Sequence, residues 1–168
     1  MQTSIFFIKN AKKFSSILKK EDKSAYLRRE FKKDTYLIIK KNSYTMAKQI
    51  LNSKELIEQV VEAIQDKKGK NIVIADMTGL GNTICDYFVI CEGNSNTQVS
   101  AITDSIWEGL IDKFGHKPFA VDGQRNSQWV AMDYGEVFVH IFLPEVRAFY
   151  DIEHLWADAK LQYIPDLD

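Results

Sequence analysis

Residues 135–159 read GEVFVHIFLPEVRAFYDIEHLWADA. The first part, Val137-Phe138-Val139-His140-Ile141-Phe142, is apolar at every position but His140. A strand apolar on both sides belongs inside a sheet that is covered on both faces. Leu143-Pro144 stops it. Beyond the proline, Phe149, Ile152, Leu155, Trp156 and Ala159 recur at helical spacing, which predicts a helix packed back on the sheet. Just upstream, residues 128–133 read as a strand, and Tyr134-Gly135 turns the chain into the next one as an antiparallel hairpin.

Working outward, Asn52 with Glu55 forms a capping box ahead of a helix whose apolar face is Leu56, Val60, Val61 and Ile64. Lysines around Gly69 mark its end. Ile72-Val73-Ile74-Ala75 and residues 84–92 read as strands, joined by the loop Thr78-Gly79-Leu80-Gly81-Asn82. Ser95-Asn96-Thr97-Gln98 caps a second helix, with Val99, Ile102, Ile106, Leu110 and Phe114 inward and Gly115 as its stop. Residues 119–122 supply a short extended piece. The order is αββαβββα, an α/β domain with a mixed sheet of about five strands flanked by helices.

The net charge of −1 hides an asymmetry. Residues 1–45 carry 12 Lys+Arg and 4 Asp+Glu; residues 46–168 carry 10 and 19. The chain divides accordingly into a basic N-terminal extension, 1–45, and a domain, 46–168, with Met46 expected as the true start. A retained mobile extension is the next reading, and a cleaved mitochondrial presequence and a nucleic-acid-binding arm are the others. No apolar run approaches the roughly 18 residues of a membrane span. Cys85 and Cys91 lie about 20 Å apart if both sit in one strand, beyond disulfide reach, and are expected as reduced, packed thiols.

Motifs for catalysis are weak. Gly79-Leu80-Gly81 lacks the third glycine and the following helix of a dinucleotide fingerprint, so the loop is structural. His116, His140 and His154 show no paired metal spacing; no metal site or cofactor is expected. His140 is expected as a buried, hydrogen-bonded neutral imidazole. Among the carboxylates, Asp76 and Asp86 are the pair a metal-dependent nucleotidyltransferase would use, yet the sole Asp-x-Asp is Asp166-Leu167-Asp168 at the terminus. Arg147 precedes Asp151 by four residues, an ordinary helical ion pair worth about 0.2–0.5 kcal/mol.

Trp129 reads differently. Val130 and Met132 share one strand face, and Trp129 the other with Ala131 and Asp133. With Val130 and Met132 in the core, Trp129 points outward or is partly covered. A half-exposed tryptophan beside Ser127, Gln128 and Arg125 has the make-up of an interface anchor; core packing is the alternative.

Asp86-Tyr87-Phe88-Val89-Ile90, Gly93-Asn94-Ser95, Asp122-Gly123, Trp129-Val130, residues 133–142, Arg147-Ala148-Phe149-Tyr150 and Leu155-Trp156 follow one another as in the ribosomal silencing factor family, RsfS or Iojap. The resemblance spans roughly residues 50–160; Asp122-Gly123 stands where many members have Glu-Gly. It implies a nucleotidyltransferase-like fold without transferase activity. It implies binding to the large ribosomal subunit through that subunit's fourteenth protein, which blocks the small subunit from joining and represses translation when nutrients run short. It further implies a partner surface of Trp129, Gln128, Ser127, Arg125, Asp122, Gly123, Asp133 and Tyr150, with Asp86, Tyr87, His140, Arg147 and Trp156 as structural motif residues. An acidic domain complements a basic ribosomal protein and is repelled by RNA phosphates. An interface of about 800 Å² per partner is expected. No membrane and no sequence-specific nucleic acid is expected as partner, and a homodimer is left open. The expected compartment is the bacterial cytoplasm, or the mitochondrial matrix if residues 1–45 are a presequence.

Overall fold

The computed structural model describes residues 51–167 apart from Asn82. The basic extension 1–45 and the Met46 start lie outside the described residues. The elements are α1 (Ser53–Asp66), β1 (Lys70–Asp76), β2 (Tyr87–Glu92), α2 (Asn96–Phe114), β3 (Ala120–Asp122), β4 (Trp129–Asp133), β5 (Val137–Phe142), α3 (Pro144–Tyr150), a 3-10 turn (Ile152–His154) and β6 (Lys160–Ile164). The strands form one mixed sheet in the order β3-β4-β5-β2-β1-β6. The β2–β5 pair is parallel and the others are antiparallel.

Local chemistry accounts for the helix ends. Asn52 Oδ1 accepts from the backbone N–H groups of Lys54 and Glu55, and Glu55 returns a bond to the Asn52 N–H. Such caps contribute about 1 kcal/mol each. Ser95 Oγ accepts from the Gln98 N–H, but Gln98 Oε1 reaches the Asn94 N–H rather than the cap's own. α2 ends at Gly115 with φ +63°, the left-handed stop that glycine adopts without strain. Gly69 works differently. The left-handed residues after α1 are Lys68 and Asn71, whereas Gly69 is needed because a Cβ there would collide with a methyl of Ile64.

The sheet has two unequal sides. On the first, α1 and α2 cover Ile72, Ile74, Val89, Cys91, Val130, Met132, Val139 and Ile141. On the second, Ala75, Phe88, Ile90, Trp129 and Phe142 pack under Ile152 and Leu155. β5 is therefore buried on both faces, as its sequence requires.

Three expectations for the C-terminal part are corrected. The helix expected through Ala159 stops at Tyr150, because Asp151 adopts φ +45°. Ile152 and Leu155 do bury their side chains on the sheet, but from a 3-10 turn and the segment after it. The chain then returns as β6 along β1, pairing Ile72 with Ile164 and Asp76 with Lys160. The observed sheet thus has six strands. The Arg147–Asp151 pair is also replaced: Asp151 carboxylate meets His154 Nδ1 at 2.6 Å, while Arg147 turns inward.

Candidate functional site

The second face of the sheet carries a continuous group of rings, placed there by strand alternation. Phe138, His140 and Phe142 project from one side of β5, with successive ring centroids 6.3 and 6.1 Å apart. Trp129 lies opposite Phe142 in the β4–β5 register and stacks on it at 4.8 Å and 24°. Phe88 meets His140 edge-on at 4.9 Å and Trp156 at 5.3 Å. From α3, Tyr150 tilts over Trp129 at 5.0 Å, and Phe149 meets Tyr150 edge-on at 4.9 Å. Pairs of this kind add about 0.5–1.5 kcal/mol beyond area burial.

This arrangement corrects the outward placement of Trp129. Trp129 does lie on the face opposite Val130 and Met132, but it is 5% exposed, because α3 and Tyr150 close over that side of the sheet. The exposed end of the cluster is Phe149, 54% exposed, with Tyr150 half-buried behind it. The helical period predicts Phe149 instead as a core position of a long helix. Pro144 at the helix start offered the missed signal. Counted from there, Phe149 stands four residues after Glu145 on the solvent side, and both are exposed.

His140 is 1% exposed and accepts a hydrogen bond at Nδ1 from the Trp129 indole N–H at 3.3 Å. Burial pushes its pKa down to about 3, so it is the neutral imidazole expected.

The remaining residues of the expected partner surface divide into two groups. Gly123 (φ +89°) and Ser127 (φ +46°) shape the turn between β3 and β4. Its bonds run from the Gly123 N–H to Asp122 Oδ1 at 2.6 Å, from the Ser127 N–H to the Gly123 carbonyl at 3.0 Å, and from Ser127 Oγ–H to the Gln124 carbonyl at 3.0 Å. Ser127 is buried and structural. Arg125 and Gln128 are exposed on the same turn. The turn is tied to the start of α3, since the Leu143 N–H donates to the Gln128 carbonyl at 2.9 Å. Asp133 lies at the other end of β4, where its Oδ1 accepts from the Gly135 N–H at 2.8 Å and burial raises its pKa. The structure thus joins Trp129, Gln128 and Tyr150 at one end of the sheet and sets Asp133 apart.

Arg147 is 7% exposed. Nε donates to Glu153 Oε1 at 2.9 Å, Nη2 lies 2.8 Å from the same oxygen, and Nη1 reaches Glu92 Oε1 at 3.2 Å and the Asn71 carbonyl at 2.7 Å. It pins α3 to β1 and β2 and so holds Tyr150 over Trp129.

Asp76 Oδ1 accepts from both the N–H and the hydroxyl of Thr78, and these bonds hold its pKa below the usual carboxylate value. Asp86 is shifted upward by burial and by the neighbouring Glu136 and Asp76 charges. Tyr87 partners Asp76 in the β1–β2 register. Among the described residues no group of three or more His, Cys, Asp or Glu side chains is arranged to hold a metal ion. Cys85 and Cys91 are buried free thiols, and burial raises both pKa values. No helix of the described residues is long and apolar enough to cross a membrane.

The family model described as "Ribosomal silencing factor during starvation" matches residues 50–168. The ribosomal silencing factor RsfS of Bacillus subtilis is 37% identical over 118 residues, spanning 70% of this chain and 96% of its own length. A mouse protein named "Mitochondrial assembly of ribosomal large subunit protein 1" is 26% identical over 106 residues, covering 60% of this chain and 44% of that one. The crystal structure of a Chromobacterium violaceum protein, 33% identical, covers 68% of this chain and 94% of its own with a TM-score of 0.60.

Proposed function

Since the chain belongs to the ribosomal silencing factor family, we propose that it binds the large ribosomal subunit through that subunit's fourteenth protein and keeps the small subunit from joining. The observation that carries this reading is the half-open aromatic cluster, in which Phe149 and Tyr150 sit outward on a rigid base of Trp129, His140 and Phe142. Exposed aromatics on a preorganised base are the usual anchors of a protein interface, because few side-chain rotors remain to be frozen on binding. Arg125 and Gln128, exposed on the adjoining turn, supply a polar rim.

Charge points to the same class of partner. Residues 46–168 carry 19 acidic against 10 basic side chains, which suits a basic ribosomal protein and disfavours docking on RNA phosphates alone. The role is occlusion. A domain that covers the joining surface of one subunit represses translation with no covalent step, and the chain acts as a regulator rather than an enzyme. The name of the mouse relative, which refers to the large ribosomal subunit, supports that choice of subunit.

The test is subunit joining followed by light scattering, with purified subunits and increasing amounts of the protein. The expected result is a dose-dependent loss of joined ribosomes that excess free fourteenth protein reverses. Full joining at saturating protein would overturn the reading.

A further inference from the structure

The row of residues that carries the aromatic edge continues across the sheet. Trp129 stands opposite Phe142, Phe142 opposite Glu92, and Glu92 opposite Lys70 in three successive strand pairs. Past Lys70 the β1–β2 register shifts, and Val73 then pairs with Tyr163 across β1 and β6. With strands about 4.8 Å apart, the four steps from β4 to β6 cover about 19 Å. Tyr163 thus flanks the same end of the sheet as Trp129, and it is 68% exposed.

Between Tyr163 and α3 lies a groove of about 550 Å³. Pro144, Arg147 and Ala148 wall it from one side of the helix, with Asp151 just past the helix end. Its carboxylates are those of Glu92, Asp151, Glu153 and Asp166. Arg147 is held by Glu92 and Glu153, Lys70 meets Asp166 at 3.7 Å, and His154 meets Asp151 at 2.6 Å. The balance is negative even with Lys70 and a protonated His154 counted. Asp151 and Asp166 keep 59% and 35% of their side chains exposed. A negative concavity beside an exposed tyrosine suits a cationic side chain, whose stem lies on the ring and whose head meets the carboxylates.

Resting on the subunit-binding reading above, we infer that this groove is the electrostatic half of the docking surface. It takes a lysine or arginine side chain of the ribosomal protein seated on Phe149. Size supports one continuous surface. A patch of about 800 Å² is roughly 30 Å across, whereas a helix with its side chains is about 10–12 Å wide. A partner centred on Phe149 therefore overhangs α3 on both flanks. On one flank it meets Arg125 and Gln128, exposed on the turn before β4, and on the other it meets the groove. Phosphates are repelled from a negative groove, so the occupant is a protein side chain rather than RNA. The aromatic half supplies affinity, and the groove selects for a basic partner.

The experiment is co-sedimentation of the full chain with large ribosomal subunits at 50 mM and 0.3 M salt. Asp151→Asn with Asp166→Asn removes two charges from the groove. Asp104→Asn with Asp112→Asn removes two exposed charges from α2, on the opposite face of the sheet, as a charge-matched control. At 50 mM salt the groove double is expected to bind about tenfold more weakly, and the control within about twofold of the unmodified protein. At 0.3 M salt stronger screening should narrow the gap. Urea midpoints report folding; should the groove double lose stability, Asp151→Asn alone is read, with an expected loss of about threefold. Equal losses in both doubles, no loss in the groove variants, or a loss undiminished by salt overturns the groove's role and leaves subunit binding standing. No co-sedimentation of the unmodified protein overturns subunit binding and the groove's role with it. With the purified fourteenth protein, free of RNA, the order of affinities should persist; equal affinities there would assign the groove to RNA and overturn the inference.

Discussion

The indole N–H of Trp129 donates to Nδ1 of His140 at 3.3 Å, one strand over, and both residues are buried. This bond makes the tryptophan part of the sheet's second core rather than a surface anchor. Trp129→Ala is therefore expected to cost stability, about 3–5 kcal/mol, by opening a cavity and orphaning the imidazole. Trp129→Phe keeps the ring stack and should cost less. Urea midpoints of the two variants check this order, and any loss of ribosome association by Trp129→Ala is expected to track its unfolding.

Stability should also fall as the solution is acidified. The folded His140 pKa is pushed down to about 3, below the ordinary value of 6.5, so the unfolded chain binds the proton first. The contribution is complete above pH 6.5 and is lost as pH falls from 6.5 toward 3, with a slope of up to about 1.4 kcal/mol per pH unit. Buried carboxylates with raised pKa values, such as Asp133, titrate with the opposite sign. Subtracting a His140→Gln variant isolates the histidine: the difference in unfolding free energy between the two proteins is expected to change across pH 4–6.5 and to be flat above pH 7.

Among the described residues, the Arg147 ion pairs are the least exposed to solvent. Arg147→Ala leaves Glu92 and Glu153, with side chains 15% and 10% exposed, facing each other without their cation. A loss of about 3–5 kcal/mol is expected. Asp151→Asn, at an exposed position, should cost under about 0.5 kcal/mol. Equal effects of the two substitutions in chemical denaturation would contradict the inward placement of the arginine.

The loop after α1 yields a pair of opposite effects. Gly69→Ala forces a methyl against Ile64 and should destabilise by about 1–3 kcal/mol. Lys68→Gly relieves a left-handed backbone at φ +55° and should stabilise by about 1 kcal/mol. Thermal unfolding of both variants checks the signs.

Much of this architecture could be read from local patterns. The Asn52 cap, the Gly115 stop, the Tyr134-Gly135 hairpin and the doubly buried β5 all depend on neighbouring residues, and each is found where the pattern put it. What failed depended on tertiary context. Phe149, Ile152, Leu155 and Trp156 carry a helical period, yet Asp151 turns left-handed and the same apolar residues reach the sheet without a helix. β6 is a short edge strand with Lys160, Gln162 and Tyr163 exposed, so it shows little apolar alternation. Trp129 followed from a correct face assignment and a wrong assumption about what covers that face. The group Trp129, Gln128 and Tyr150 was legible as a neighbourhood; Phe149, its exposed member, was not.

The central claim is that the large subunit docks on the aromatic edge presented by α3. Phe149→Ser removes the ring that is 54% exposed and leaves the Trp129–Phe142 stack untouched. The decisive measurement is co-sedimentation of this variant with large ribosomal subunits, alongside its urea midpoint. A loss of association of more than about tenfold with an unchanged midpoint is predicted. Association equal to that of the unmodified protein would contradict the claim.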